Sequence, residues 1–562
     1  MKDQVTKSTS FKSSPICAFL ISGILGGIIY LIIFGTLALN PTSVDWISAE
    51  GGDMLQHQIG WDFYRNTSWK FPIGLIDGLV SSGSVSCLYT DSIPFFAVFF
   101  KILSPILPET FQYFGIWEMF CFIMSGGVSA ALLYKIKPNY IFSTCGSIVY
   151  MLFPPITCRY FHHDSLIAIW IVLLAFILCI DQNKEWKHKS TPVILWSGLG
   201  MISVLTHMYF LPMIYMVMAA YIIVDVFKNK KIAKSIWIFA STTVCTVITL
   251  FCIGAFYGKG HYNAGGLGVY SANFNTFFSG YPVSQYIGQL PRDHGQYEGY
   301  GYLGLGVFVL IFIDIIICLI LLKKKDSGIM HNIAEYIKKN KVTLIAVFLL
   351  FTVSFLWSVS PKGMLNNRVL YDIQLPSLIF HVLSIYRATG RFVWLSGLLV
   401  ITISFYIASK IDGKKAAAIA VLCLAVQTAD TYKWFIHLHN MYGKLRPLKT
   451  NIVTEHWDEL TENANEIIFL PLPENYLGYG GMYFNFAKLA SEKNMKLSSF
   501  YVARGNYDIL AEYASEQYEL LKSGDGREDA IYVFFNEDDI PKNVSNVKVY
   551  NIDGYTVAKV EN

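Results

Sequence analysis

Long apolar runs recur from near the N-terminus to about residue 432, and each approaches the length of a membrane-crossing helix. A bilayer core of about 30 Å needs roughly 20 apolar helical residues per crossing. The pattern therefore predicts a polytopic α-helical membrane protein with about eleven transmembrane helices. The predicted spans lie near residues 16–39, 112–134, 140–157, 164–181, 191–207, 209–227, 235–257, 301–322, 342–359, 391–409 and 416–432.

The lysines between these spans predict how the chain is oriented. Short lysine-bearing connections, such as the one with Lys135 and Lys137, alternate with longer connections that hold fewer basic residues. Because short cytoplasmic loops carry excess Lys and Arg, the N-terminus is predicted to be cytoplasmic. An odd number of crossings then places the C-terminal part of the chain outside. The long loops predicted to face outward are residues 40–111, 258–300 and 360–390.

The chain after the last span changes from continuous apolar runs to short alternating elements. Strands that alternate with helices predict a small α/β layer. We therefore expect a transmembrane domain over residues 1–432 and an extracytoplasmic soluble α/β domain over residues 433–562. Its predicted strands are 466–470, 497–502, 530–535, 547–552 and 555–560, and its predicted helices are 482–493 and 507–522.

Composition supports a membrane protein and gives no sign of a nucleic-acid partner. Hydrophobic residues make up 54% of the 562 residues and charged residues only 15%, against about 25% charged in typical soluble domains. The formal net charge is only +4. A strongly basic surface of the kind that binds nucleic acid is therefore not indicated.

The first long loop carries the most suggestive acidic residue, Asp53. Apolar residues recur at helical spacing from residue 53 to residue 69, which predicts an amphipathic helix at the membrane interface. Asp53 and His57 would lie one turn apart on one face of that helix. Further along the loop, Asp91 precedes about 16 mostly apolar residues, which predict a half-buried interfacial hairpin.

Two other connections hold clustered polar side chains. The sequence CRYFHHDS places His162, His163 and Asp164 in a tight turn, where they are candidate ligands for a divalent metal. A simple solvated turn is the equally good alternative. The segment LPRDHGQYEGYGYLGLG contains Glu298 among glycines and tyrosines, which suits a sugar or acceptor surface but is also compatible with ordinary turn chemistry.

The third long loop ends in SIYRATGRFVW, with Arg387 and Arg391 four residues apart. If this segment is helical, both guanidinium groups share a face and suit a phosphate. The alternative is two arginines that anchor a helix end at the interface. Within the predicted spans, Glu118 and Asp314 stand out, because a carboxylate at membrane depth is costly and indicates a partner or a function.

Several segments together resemble a bacterial family of multispanning proteins assigned to the GT-C glycosyltransferase superfamily. The resemblance covers most of residues 40–410 and is much weaker for the tail. It implies a GT-C-like fold with catalysis at the outer membrane face on a lipid-phosphate-linked sugar. By position, Asp53 matches the first-loop acidic residue of the superfamily, and Asp91 resembles a second carboxylate. The similar segments are GGDMLQHQIGWDFYR, TDSIP, LPETFQYFGIW, GQYEGYGYLG and YRATGRFVW.

The resemblance implies an inverting glycosyltransferase of the bacterial plasma membrane. It would transfer a sugar from a polyprenyl-phosphate-linked donor to a cell-envelope glycan, with membrane lipids around it. Asp53 would act as the catalytic base, and Arg387 and Arg391 would bind the donor phosphate. Asp91, His57 and Glu298 are the second acidic or acceptor-site candidates. No full DxD pair follows the first span, so a divalent metal, Mg²⁺ or Mn²⁺, is not required by the sequence.

Two other classes of function remain open at this point. A flippase or transporter for lipid-linked sugars would use Glu118 and Asp314 to line a path. Such proteins are often built from pseudo-repeated halves, and the sequence shows no internal repeat. A scaffold for envelope enzymes would leave the clustered Asp, His and Arg side chains unexplained.

Overall fold

A computed structural model describes residues 14–50, 52–258, 266–323, 329–443, 452–472, 480–542 and 544–561 of the chain. It is mostly helical, with a small sheet near the C-terminus. The α-helices of the described residues are Pro15–Phe34 (α1), Asp45–Glu50 (α2), Gly52–Asn66 (α3), Pro94–Leu103 (α4), Phe114–Ile136 (α5), Tyr140–Met151 (α6), Pro154–Thr157 (α7), Trp170–Ile180 (α8), Thr191–Thr206 (α9), Phe210–Phe227 (α10), Ile232–Cys252 (α11), Leu305–Lys323 (α12), Ile329–Val359 (α13), Ser377–Ser384 (α14), Val393–Ala408 (α15), Gly413–Tyr442 (α16), His456–Thr461 (α17), Gly480–Glu492 (α18) and Tyr507–Ser523 (α19). The strands are Leu75–Ile76 (β1), Val85–Ser86 (β2), Lys362–Leu365 (β3), Arg368–Asp372 (β4), Glu466–Leu470 (β5), Lys496–Leu497 (β6), Ala530–Phe534 (β7), Val547–Ile552 (β8) and Tyr555–Val560 (β9).

Eight helices of the described chain are long and apolar enough to cross a membrane. By length and composition they are consistent with a multi-pass membrane protein, as the apolar runs predict. The predicted number of eleven is not confirmed. The eight segments are Pro15–Phe34, Phe114–Ile136, Asp164–Asn183, Phe210–Phe227, Ile232–Cys252, Leu305–Leu322, Ile333–Val359 and Thr389–Ala408.

The three other predicted spans are also helical but fall outside this group. The span predicted over 140–157 is divided, because Pro154 and Pro155 lack backbone N–H donors and begin a separate short helix, α7. Helix α9 has 16 residues, which corresponds to about 24 Å, less than a full crossing. Helix α16 is longer than predicted, with 30 residues, but it carries more polar side chains than the eight.

A small domain with a sheet is present near the C-terminus, as the alternating elements predict. Its five-stranded sheet has the order β6-β5-β7-β9-β8, with β6, β5 and β7 parallel and β9 and β8 antiparallel. The predicted strand over 497–502 is shorter, since β6 pairs with β5 only over Lys496–Leu497. Alternate side chains of β5 face opposite sides of the sheet, as strand geometry requires. Ile467 and Phe469 join the main core, whereas Ile468 packs on the α19 side.

This domain lies directly on the first long loop. The Leu497 N–H donates to the Gly78 carbonyl (2.8 Å), and the Ser81 N–H donates to the Ser498 carbonyl (2.9 Å). The loop therefore occupies part of the edge of the sheet, an edge that would otherwise offer unpaired backbone groups. Helix α18 packs against α3 beside this contact. The C-terminal domain and the loop that carries Asp53 consequently lie on the same side of the helical bundle.

The predicted helix of the first loop is present as α3, but its burial differs from that of an amphipathic surface helix. Most of its side chains are buried, including the polar Gln56, His57 and Gln58. The reason is tertiary cover on several sides, from the C-terminal domain and from residues 87–90 and α4. The apolar segment after Asp91 forms one half-buried helix, α4, and a short 3-10 turn over Ser104–Ile106 rather than a hairpin.

Candidate functional site

A buried ionic group joins three connections that are far apart in sequence. Arg159 donates through Nη2 to Glu298 Oε2 (2.9 Å), and Arg391 donates through Nε to the same oxygen (2.9 Å) and through Nη2 to Oε1 (3.2 Å). Burial alone would raise the pKa of Glu298, but Arg159 and Arg391 lower it to about 2. Glu298 is therefore a fixed anion that holds two arginines in place.

Aromatic rings complete the packing of these two arginines. The Arg391 guanidinium lies 4.7 Å from the centroid of the Tyr209 ring, and the Arg159 guanidinium lies 5.4 Å from that of Trp394. Two positive groups share one negative partner, so this group of side chains retains net positive charge. Such a positive field, fixed in a buried position, suits an anionic ligand or a developing negative charge.

Asp53 lies within the field of this group. Burial raises the pKa of Asp53, Arg391 opposes that rise most strongly, and Glu298, Arg159 and Arg387 also act on it. The net direction is upward from the ordinary value of 3.8. A carboxylate with a raised pKa is a stronger base than an ordinary aspartate, and the arginines keep its ionised form accessible. Arg391 and Arg387 are thus close enough to Asp53 for their charges to act on it.

The two arginines differ from the arrangement that their spacing predicts. Ala388 is not helical, with φ −92° and ψ 65°, and a 3-10 turn over Thr389–Phe392 precedes α15. The two guanidinium groups therefore do not share a helical face. Arg391 is buried and bound to Glu298, whereas Arg387 is exposed.

Tyr501 of the C-terminal domain also belongs to the site. Arg387 donates through Nη2 to the Tyr501 hydroxyl (3.5 Å). The backbone carbonyl of Tyr501 accepts from Gln56 Nε2 on α3 (2.7 Å). Burial raises the pKa of Tyr501, with Asp53 as the next largest cause. Sequence reasoning missed Tyr501, because nothing in the tail indicates that it reaches the first loop.

A second group of side chains lies next to Asp53 and consists of His57, Asp91 and His163. One potential ligand atom from each lies within 4.8 Å of the others. The rings of His57 and His163 stack with centroids 5.4 Å apart. Burial lowers the pKa of His57 to about 3 and raises that of Asp91 to about 7. Neutral imidazoles beside a carboxylate are a donor set that can hold a transition-metal ion.

The predicted metal ligands are only partly brought together. Within the described chain, His162, His163 and Asp164 do not form a group of converging ligand atoms. The exposed ring of His162 instead lies against Tyr442, with Nε2 3.4 Å from its hydroxyl. Asp164 Oδ1 accepts the Phe161 N–H (2.9 Å). The turn from residue 159 to residue 164 points its side chains in different directions, so that adjacency in sequence does not produce a shared site.

His207 was not expected, and it extends the second group. Its Nε2 lies 3.5 Å from Asp91 Oδ1, and its ring meets that of His163 edge-to-face at 5.5 Å. The sequence signal that could have indicated His207 is its position directly after α9. The predicted topology places this end of the span on the same side of the membrane as the other connections with clustered polar residues.

The carboxylates within the predicted spans are held in the protein interior. Glu118 accepts from the Tyr30 hydroxyl (2.8 Å) and from the Phe161 N–H (3.0 Å). Asp314 is only 4% exposed on α12. Glu118 thus supports the turn that carries His163, a structural role that gives no support to a transport path.

Comparison of the sequence with known families gives one clear result. A family described as "Domain of unknown function (DUF6311)" matches residues 23–432. The chain belongs to the DUF6311 family. The part that follows matches the DUF6311 C-terminal domain over residues 456–560. No curated protein matches the chain. The DUF6311 region contains the ionic group and Asp53, and Tyr501 comes from its C-terminal domain.

Proposed function

We propose that this protein is an inverting glycosyltransferase of the bacterial plasma membrane, acting on a polyprenyl-phosphate-linked sugar at the outer membrane face. One observation carries the proposal: Glu298 holds Arg159 and Arg391 in a buried group whose positive charge acts on Asp53. The combination provides a base and an anion-stabilising group at one place. The GT-C resemblance of the first loop supports the same assignment.

The proposed reaction needs no general acid. A hydroxyl oxygen of the glycan acceptor forms a bond to the anomeric carbon, while the bond from that carbon to the phosphate oxygen breaks. The electron pair leaves with the polyprenyl phosphate, and the acceptor proton passes to the Asp53 carboxylate. The transition state resembles an oxocarbenium ion. Single displacement inverts the anomeric configuration.

The arginines have separate roles in this scheme. Arg387 is exposed and makes one long hydrogen bond to Tyr501, so its guanidinium is accessible to the donor phosphate. Arg391 is committed to Glu298 through two hydrogen bonds. It contributes mainly positive potential as the phosphate leaves. In this scheme Glu298 positions the arginines instead of binding the acceptor, because both of its carboxylate oxygens already accept hydrogen bonds from them.

The test is a transfer assay with the purified full chain in lipid vesicles. Radiolabelled polyprenyl-phosphate hexoses serve as donors and cell-envelope polysaccharide fragments as acceptors. Asp53→Asn should lower the rate by about 10²–10⁴-fold, the usual contribution of a general base. Asp45→Asn is the matched control, since Asp45 is exposed on the same loop and should transfer at the normal rate.

Two results would contradict the proposal. One is near-normal transfer by the Asp53→Asn protein. The other is movement of the labelled lipid across the vesicle membrane without any new glycosidic bond, which would favour the flippase. The proposed orientation is tested in the same vesicles, because a donor supplied only on the face with the C-terminal domain should be sufficient.

A further inference from the structure

His57, Asp91 and His163 form a compact group of donor atoms that the proposed transfer reaction does not use. Their potential ligand atoms lie within 4.8 Å of one another. We infer that these three side chains bind one divalent first-row transition-metal ion. The inference does not rest on glycosyl transfer, because binding can be measured without any substrate.

Unsatisfied buried nitrogen atoms are the main evidence. His57 is completely buried, and neither of its ring nitrogens has a hydrogen-bond partner among the described residues. The same is true of Nδ1 of His163, which is 6% exposed. An unpaired buried polar group is unfavourable, because it has lost its hydrogen bonds to water. Coordination of a metal ion would satisfy one nitrogen of each ring, because the ion accepts the lone pair of that nitrogen.

The surrounding chain fixes His57 and Asp91 relative to each other. The Ser92 hydroxyl donates to the His57 carbonyl (2.9 Å) and lies 2.8 Å from the Thr90 hydroxyl. Gly60 on α3 packs so closely that a Cβ there would be 2.4 Å from Thr90 Cβ. The loop with Asp91 is thereby held against the helix with His57. This arrangement is the type of rigid support that a metal site requires.

His207 acts on the metal through Asp91. Its Nδ1 accepts the Tyr209 N–H (3.2 Å), so its ring proton lies on Nε2. That nitrogen lies 3.5 Å from Asp91 Oδ1. His207 is therefore a positioning residue that orients the carboxylate, as partners behind metal ligands commonly do.

The donor set determines the class of metal. Two imidazoles and one carboxylate suit Zn²⁺, Co²⁺ or Fe²⁺, whereas Mg²⁺ and Ca²⁺ prefer oxygen ligands and water. Ligand distances in such sites are about 2.0–2.2 Å. Three protein ligands leave at least one coordination position for water or another small ligand.

The experiment uses the full-length protein in detergent, treated with EDTA and dialysed. Zn²⁺ is titrated calorimetrically, bound metal is counted by mass spectrometry, and Co²⁺ binding is followed by its visible absorption. We expect one Zn²⁺ per chain, a Co²⁺ spectrum typical of nitrogen and oxygen ligands, and no comparable binding of Mg²⁺. A wild-type protein that binds neither Zn²⁺ nor Co²⁺ would overturn the inference.

Variants then locate the site. His163→Gln and Asp91→Asn should each weaken Zn²⁺ binding by at least about 100-fold, while His207→Gln should weaken it by about 10–100-fold with the stoichiometry unchanged. His162→Gln is the matched control, since it removes the adjacent exposed imidazole and should bind normally. Size-exclusion profiles verify folding. Folded His163→Gln or Asp91→Asn protein with wild-type affinity would place the metal elsewhere and refute the assignment.

Discussion

The buried ionic group allows a quantitative prediction for Glu298→Gln. The substitution keeps the shape of the side chain but removes the negative charge between Arg159 and Arg391. The pKa of Glu298 is about 2, against an ordinary value of 4.5. This difference of about 2.5 units corresponds to about 3 kcal/mol in favour of the ionised form. The Glu298 side chain is only 10% exposed, so solvent screening reduces the figure little.

The predicted loss of folding stability agrees with the usual cost of breaking a buried ion pair. Removal of one partner from such a pair typically costs about 3–5 kcal/mol, because the remaining charge is left uncompensated. Unfolding entropy of about 2.1 cal/mol/K per residue gives roughly 1.2 kcal/mol/K for a chain of 562 residues. The expected fall in Tm is therefore about 3 °C. The stabilisation is fully present above pH 4.5 and is lost as the pH falls through about 2.

The assay is thermal unfolding of the purified protein in detergent, followed by tryptophan fluorescence at neutral pH. Glu109→Gln is the matched control, because Glu109 is exposed in the first long loop and its substitution should leave Tm unchanged. If Glu298→Gln unfolds at the same temperature as this control, the ionic group does not stabilise the fold, and the reasoning above is refuted.

Two further predictions concern the helix that carries Asp53. Gly60→Ala should destabilise the protein, because the added Cβ would lie 2.4 Å from Thr90 Cβ. Gly198→Ala should be neutral or stabilising by about 0.5–1 kcal/mol, since nothing lies within 4 Å of a Cβ at that position. Equal Tm values for the two variants would contradict this packing. The transfer activity should fall at acidic pH as Asp53 takes up a proton, with the acid limb of kcat/KM above pH 3.8, because burial raises the pKa of Asp53. An acid limb below that value would exclude Asp53 as the base.

Local features of the fold follow from the sequence more closely than the long-range contacts do. The helix of the first loop and the final hairpin of the C-terminal domain follow from their periodicity, and α3 and β8–β9 match it well. The predicted span is divided near Pro154 because proline lacks a backbone N–H donor and interrupts a helix. The apolar run continues through this proline, so the hydropathy pattern does not show the break. Hydropathy alone therefore does not reveal where such a run is divided.

For the candidate site, the sequence does not predict which side chains come into contact. Asp53 and His57 share α3, yet one lies in the field of the arginines and the other stacks on His163. The sequence contains each of these side chains, but the arginines that act on Asp53 and the histidine that stacks on His57 lie more than 100 residues away in sequence. Glu298 illustrates the point, since its role depends entirely on the two arginines that it contacts. Only tertiary packing determines which of several polar clusters meet.

A cryo-electron-microscopy map of the full chain with bound polyprenyl phosphate tests the central claim most directly. The account predicts phosphate density within about 3 Å of the Arg387 guanidinium, on the side of the bundle that carries the C-terminal domain, with Asp53 facing the open side of the phosphate. Phosphate density at any other place, or density separated from Asp53 by packed protein, would contradict it.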